Sequence, residues 1–217
     1  MQLDRISVSN LDYFREWRKD EESEVESLLR RIRGEEPPSP QMEAGTALHA
    51  VLENAKEGEF DYLESDRYRF YFSSDISIYL PPIREMRISK QYAGLEVRGR
   101  VDGVLGHNTV LDYKSTGQFD PERLLSGFQW RFYLDMLGME HFAWKVLVIR
   151  ETETPFHFDV IDAHDLTQHR YEGIERECAA LAEDFSAFIQ QFPELVIELP
   201  KAELPNLDAW IKGAAHA

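Results

Sequence analysis

The residues of this chain best suited to chemistry sit in two short strand-like runs. One is Gly99-Arg100-Val101-Asp102-Gly103, and the other, beyond a tight turn, is Val110-Leu111-Asp112-Tyr113-Lys114. Side chains alternate along a strand, so Asp112 and Lys114 share one face and Leu111 and Tyr113 the other. Gly106-His107-Asn108 reads as a three-residue hairpin turn, with Asn108 suited to left-handed backbone. A turn centred on His107 sets Leu105 opposite Thr109, Val104 opposite Val110 and Asp102 opposite Asp112. Directly opposed like charges destabilise a sheet. A divalent cation shared by the two carboxylates offsets that repulsion, which makes a metal site with a lysine beside it. A plainer reading stays open. Exposed strand acids are commonly solvated, Lys114 can neutralise Asp112 as a surface pair of little worth, and a loop one residue longer removes the opposition.

Two further groups stand outside the hairpin. A helical stretch carries Gly45-Thr46-Ala47-Leu48-His49, and a lone histidine there packs as readily as it ligates. Gln129 and Tyr133 lie four apart on a second predicted helix and share a face. Tyr133 beside Phe132, Leu134 and Leu137 also suits ordinary packing with its hydroxyl at the edge. Phe128 and Trp130 read as packing groups rather than base-stacking platforms.

The elements that must position these residues follow from pattern. Ser9 or Asn10 caps a helix running to about Arg33, ended by Gly34. After the stiff Pro37-Pro38-Ser39-Pro40 connector, a second helix spans about 41–57 and stops at Gly58. Strands are predicted near 67–72, 84–91, 95–105 and 109–114. Asp120 as cap and Pro121 at the first turn open a helix closed by Gly138. Strands near 142–150 and 156–161 precede a long helix that begins at Asp162 or Asp165 and ends near Phe192. This is one α/β (α+β) domain over 1–217: N-terminal helices over 1–58, a central mixed sheet over 67–161 with the helix 120–138, and a C-terminal helix over 162–192.

Composition narrows the class. No apolar stretch is long enough to span a bilayer and no basic start precedes an apolar run, so a cytoplasmic protein with no membrane partner is expected. Cys178 is the sole cysteine, which excludes an intrachain disulfide and a four-cysteine cluster. A net charge of −16 argues against a general nucleic-acid binder. The acids are uneven, however. They crowd 21–36 and 172–198, whereas Arg84, Arg87, Lys90, Arg98, Arg100, Lys114, Arg123 and Arg131 leave the middle of the chain near balance. A polyanion can approach that face; alternatively, the acidity itself imitates DNA.

Taken in order, Ser7-Val8-Ser9, Gly45-x-x-x-His49, Gly99-x-x-Asp102, Asp112-x-Lys114 and Gln129-x-x-x-Tyr133 resemble the PD-(D/E)XK nucleases, in particular their RecB-like, phage-type exonuclease branch. The resemblance covers about residues 6–133. It implies a restriction-endonuclease-like core and a metal-dependent DNA nuclease, more an exonuclease than an endonuclease, of recombination, repair or phage DNA processing. It also implies roles. Asp102 and Asp112, the backbone carbonyl of Tyr113 and His49 would hold Mg²⁺ or Mn²⁺. Lys114 would stabilise the attacking hydroxide or the charge growing on phosphorus, Gln129 and Tyr133 would position the strand or the lysine, and Glu85 would support the site from the preceding strand. Two departures count: no cysteines are available for an iron–sulfur cluster, and no Walker-type loop indicates a motor. DNA is the expected partner, with a recombination or repair protein as a second. The competing expectation is a catalytically silent relative acting as an acidic DNA mimic or partner-binding protein.

Overall fold

The computed structural model describes residues 4–56 and 61–192. Its sheet contains β1 (Arg5–Ser7), β2 (Tyr62–Ser65), β3 (Tyr68–Phe72), β4 (Ile83–Tyr92), β5 (Leu95–Leu105), β6 (Thr109–Thr116), β7 (His141–Glu151) and β8 (His157–His169). The helices are α1 (Val8–Trp17), α2 (Val25–Ile32), α3 (Pro40–Asn54), α4 (Pro121–Ser126), α5 (Gln129–Leu137) and α6 (Ile174–Ile189). Strand order is β1-β5-β6-β7-β8-β3-β2, with β4 also paired to β5. The pairs β1/β5, β6/β7 and β3/β8 are parallel and the rest antiparallel, so the sheet is mixed.

Helices cover both faces. Leu11, Phe14, Leu28, Phe132, Leu134 and Phe185 pack with Val97, Val101 and Phe142 on one side. On the other, Ala44, Leu48, Val51 and Leu52 of α3 pack with Phe70, Leu111, Tyr113 and Val160. Strand alternation explains the division at β6: Val110 enters the first core and Leu111 and Tyr113 the second, which turns Asp112 and Lys114 toward the first.

The feature that makes a site is a fork. β4 pairs along nearly all of β5. The other edge of β5 is shared by β1 at Glu96–Arg98 and by β6 at Gly103–Leu105. Between them, Gly99 to Asp102 have no ladder partner on that edge. Side chains from both faces can therefore reach the gap.

Several sequence expectations need correction. The single N-terminal helix is two, because the acidic turn at Asp20–Ser23 interrupts it, and its cap is Ser7, whose Oγ accepts from the Asn10 N–H at 3.1 Å. A strand, β1, lies within the region expected to be helical only. The second helix starts at Pro40 with Ser39 as cap and ends at Asn54; the predicted stop at 57–58 lies outside the described residues. The helix expected over 120–138 breaks at Gly127–Phe128 into α4 and α5. The long helix from Asp162 or Asp165 is wrong at its start: β8 pairs with β7 through His169, and α6 begins only at Ile174. In the hairpin turn Gly106, not Asn108, is left-handed, with φ +57°. Two of the three pairs predicted from that turn are observed, Leu105 opposite Thr109 and Val104 opposite Val110, but the ladder ends at Gly103 opposite Leu111, so Asp102 and Asp112 are not a ladder pair.

Candidate active site

An open cleft of about 430 Å³ at the fork is lined by His49, Asp102, Asp112, Lys114, Gln129 and Tyr133 together. These are six of the eight residues singled out by sequence, drawn from α3, β5, β6 and α5. Close packing makes the convergence possible. Gly45 lies so near β6 that a Cβ there would stand 2.8 Å from Ser115 Oγ, and this approach carries His49, one turn later, to the fork. Gly99 does the same for α5, since a Cβ there would meet Tyr133 Cε1 at 2.4 Å. The Tyr133 ring thus lies against the sheet at Gly99, and its hydroxyl donates to the Arg100 carbonyl at 3.0 Å.

Asp102 replaces a missing ladder bond. Its Oδ2 accepts from the Tyr113 backbone N–H at 2.8 Å and stands 3.3 Å from His49 Nδ1. Burial alone would raise its pKa, but His49, Lys114 and the Tyr113 N–H together hold it below the usual aspartate value. His49 is pulled down by burial and more than restored by Asp102 and Asp112, so it stands above an ordinary histidine.

Asp112 is only 2% exposed. Burial pushes its carboxyl up to about 6; Lys114 draws it down and Asp102 adds to the rise. Lys114 Nζ is 2.8 Å from Asp112 Oδ2 and donates to Gln129 Oε1 at 2.9 Å. Among the described residues that ammonium is the one group that meets the buried Asp112 Oδ2. Burial disfavours the Lys114 ammonium, but Asp112 and Asp102 outweigh it and raise its pKa. Gln129 Nε2 in turn donates to the Tyr133 hydroxyl at 3.4 Å, completing a chain from Asp112 to Arg100.

Two residues are placed less centrally. The Tyr113 ring points into the second core, where its hydroxyl donates to the Tyr79 carbonyl at 2.6 Å, so only its backbone belongs to the site. Glu85 lies beside the fork with left-handed backbone, φ +55°, a strained state for a glutamate. The β4/β5 ladder pairs Arg84 with Gly103 and Met86 with Val101, passing over Glu85 and Asp102. Its Oε2 sits 2.7 Å from Arg100 Nε. Burial raises the Glu85 pKa, against Arg100 and with Asp102.

The donor set suits a hard divalent cation: carboxylate oxygens and one imidazole, with a buried carboxylate oxygen short of donors. Among the described residues no three His, Cys, Asp or Glu groups already stand close enough to hold an ion. Asp102 is engaged by His49 and Asp112 by Lys114.

Of the basic residues noted in sequence, Arg87, Arg98 and Arg100 line the cleft. Arg84 is structural: its guanidinium donates to the carbonyls of Leu52, Glu53 and Ala55 and so caps α3. Arg131 braces α5 through Tyr171 and the Ser126 carbonyl. Ser7, read in sequence as part of the motif order, and Ser9, read there also as a candidate helix cap, line the cleft too.

By sequence, the chain matches no protein-family model and no curated protein. By structure, it is similar to a "Putative exonuclease" from Eubacterium rectale, at 10% identity and a TM-score of 0.51, over 97% of this chain and 94% of that one. It is similar to SSO0001 at 15% identity and a TM-score of 0.50, over 89% of this chain and 80% of that one. It also aligns with the alkaline exonuclease LHK-Exo from Laribacter hongkongensis, in complex with dAMP, at 14% identity and a TM-score of 0.49, over 88% and 93% of the two chains. The fold is restriction-endonuclease-like, a mixed central sheet flanked by helices, as the resemblance to PD-(D/E)XK nucleases implies. No helix of the described residues is long and apolar enough to cross a membrane.

Proposed function

We propose that this chain is a divalent-metal-dependent deoxyribonuclease of the PD-(D/E)XK superfamily, an exonuclease of the RecB-like, phage-type branch. The observation that carries this reading is the meeting of Asp102, Asp112 and Lys114 at the fork between β5 and β6, with His49 delivered from the opposite face. The motif order and the likeness to a "Putative exonuclease" support it. The reading extends to a cytoplasmic enzyme of DNA recombination, repair or phage DNA processing, acting on DNA alone or beside a partner protein of such a process.

A phosphodiester is an anion that repels nucleophiles. Asp102, Asp112, His49 and the Tyr113 carbonyl would hold Mg²⁺ or Mn²⁺, which when bound would supply Lewis-acid stabilisation and a more acidic water. Lys114, kept protonated by Asp112 and Asp102, presents a fixed positive charge where negative charge grows on phosphorus. Gln129 fixes the direction of that amine, and Tyr133 fixes Gln129. Asp102 stays ionised through its bond from Tyr113 and its contact with His49.

Purified protein is expected to degrade linear DNA with Mg²⁺ or Mn²⁺ and to stop on chelation. Lys114→Ala and Asp112→Asn should each lower the rate by about 10²-fold or more. The net charge of −16 favours a second reading, an acidic DNA mimic. That reading takes over if linear, circular and single-stranded DNA all survive with either metal.

A further inference from the structure

One charge arrangement is left over by the proposed chemistry. Arg87 of β4 and Arg100 of β5 are directly opposed in the ladder. Like charges so placed destabilise a sheet unless an anion lies between them. Their neighbours Ile88 and Gly99 are also opposed and face the first core, where Ile88 is buried and Gly99 touches Tyr133. By alternation Arg87, Arg98 and Arg100 point to the other side. α3, the helix of that side, packs on β2, β3 and β6 instead, and Arg87 and Arg100 are exposed.

Internal acids neutralise this strip only in part. Glu85 contacts Arg100 at 2.7 Å and Glu96 contacts Arg98 at 2.8 Å. Arg98 Nε is nevertheless buried without an acceptor among the described residues. Arg87 has no ion-pair or hydrogen-bond partner among the described residues. All three arginines line the same cleft as Asp102, Asp112 and Lys114. On the far flank of Lys114 the surface instead carries Asp12, Glu16, Asp120 and Glu122 against Arg15, Arg31 and Arg123. Among the described residues around the site, the cationic excess of this chain of net charge −16 therefore lies on one flank.

We infer that Arg87 and Arg100, backed by Arg98, bind a backbone phosphate adjoining the one that is cleaved, so that the DNA strand crosses the part of the β4–β5 face on which Arg87 and Arg100 are exposed. Guanidinium forks match phosphate oxygens in pairs, which an ammonium does not. This inference rests on the nuclease reading for its role in turnover, but its binding component does not. Arg87 is a positioning residue: it meets a phosphate other than the reacting one.

The test pairs salt-dependent binding with kinetics. Anisotropy of a fluorescein-labelled linear duplex, in chelator and across a range of NaCl, gives the slope of log K against log[NaCl]. Arg87→Gln should make that slope shallower by about one unit, and Arg87→Lys should restore it. Arg18→Gln removes the same charge at a residue that forms an ion pair with Asp184 on α6, and should leave the slope unchanged. In turnover, Arg87→Gln should raise KM about three- to tenfold with kcat within about twofold of wild type. An Arg87→Gln slope equal to wild type overturns the inference, whether or not the protein cuts DNA. A shallower slope in a protein that cuts no DNA upholds the phosphate site and rejects only the nuclease reading.

Discussion

Asp112 is the most informative single residue. A carboxylate 2% exposed and raised to about 6, whose buried Oδ2 meets only the Lys114 ammonium among the described residues, is costly to keep, and nothing in core packing requires it. Its neighbour Lys114 is aimed by one contact outside the acids, the Gln129 amide at 2.9 Å. Gln129→Ala should therefore lower kcat about tenfold or more while KM stays near wild type, because the charge remains and only its aim is lost; single-turnover rates measure this. Asp102, Asp112 and Lys114 were legible in the sequence because strand alternation has a period of two and the turn length set the register. The left-handed Glu85 was not, since glutamate gives no signal for positive φ. The opposed pair Arg87 and Arg100 was visible only once β4 had a register.

At the scale of elements, the site depends on how closely α3 and α5 approach the sheet. Gly99→Ala puts a methyl against the buried Tyr133 ring, whose hydroxyl is tethered to Arg100. It should cost about 1–3 kcal/mol in denaturant unfolding and lower activity. Combined with Tyr133→Leu, the two changes should cost less than their sum. α5 is anchored at its other end by buried Asp135, which accepts from Tyr92 at 2.5 Å, Lys90 at 2.9 Å and Arg170 at 3.1 Å. Burial and the bond to Asp135 push the Tyr92 hydroxyl well above the ordinary tyrosine range. The folded state thus keeps that proton where an unfolded tyrosine loses it. The contribution is whole below about pH 10 and is lost as pH rises further. Thermal melts should show wild type losing stability on that alkaline limb, and Tyr92→Phe should flatten the loss. Element order was largely legible from caps, glycines and prolines, and errors fell where local signals compete with pairing. Asp162 and Asp165 look like helix caps, yet β7 offers that stretch a full partner strand, with Trp144 opposite Leu166.

For the whole molecule, −16 sets the terms of any encounter with DNA. Net repulsion must be overcome locally, by the arginine flank and by a cation at the acids. DNA binding in chelator should be weak at physiological ionic strength, tighten as salt is lowered, and strengthen on adding Ca²⁺; anisotropy titrations read all three. The acidic total was plain in the sequence, but its segregation from the cleft required the sheet to bring distant arginines together. The central claim is that Asp102 and Asp112 share a divalent ion within reach of Lys114. The most direct measurement is anomalous diffraction from crystals grown with Mn²⁺. The account predicts a manganese peak in contact with both carboxylates. A fully ordered cleft with manganese elsewhere, and both carboxylates still bound only to His49, Tyr113 and Lys114, would contradict it.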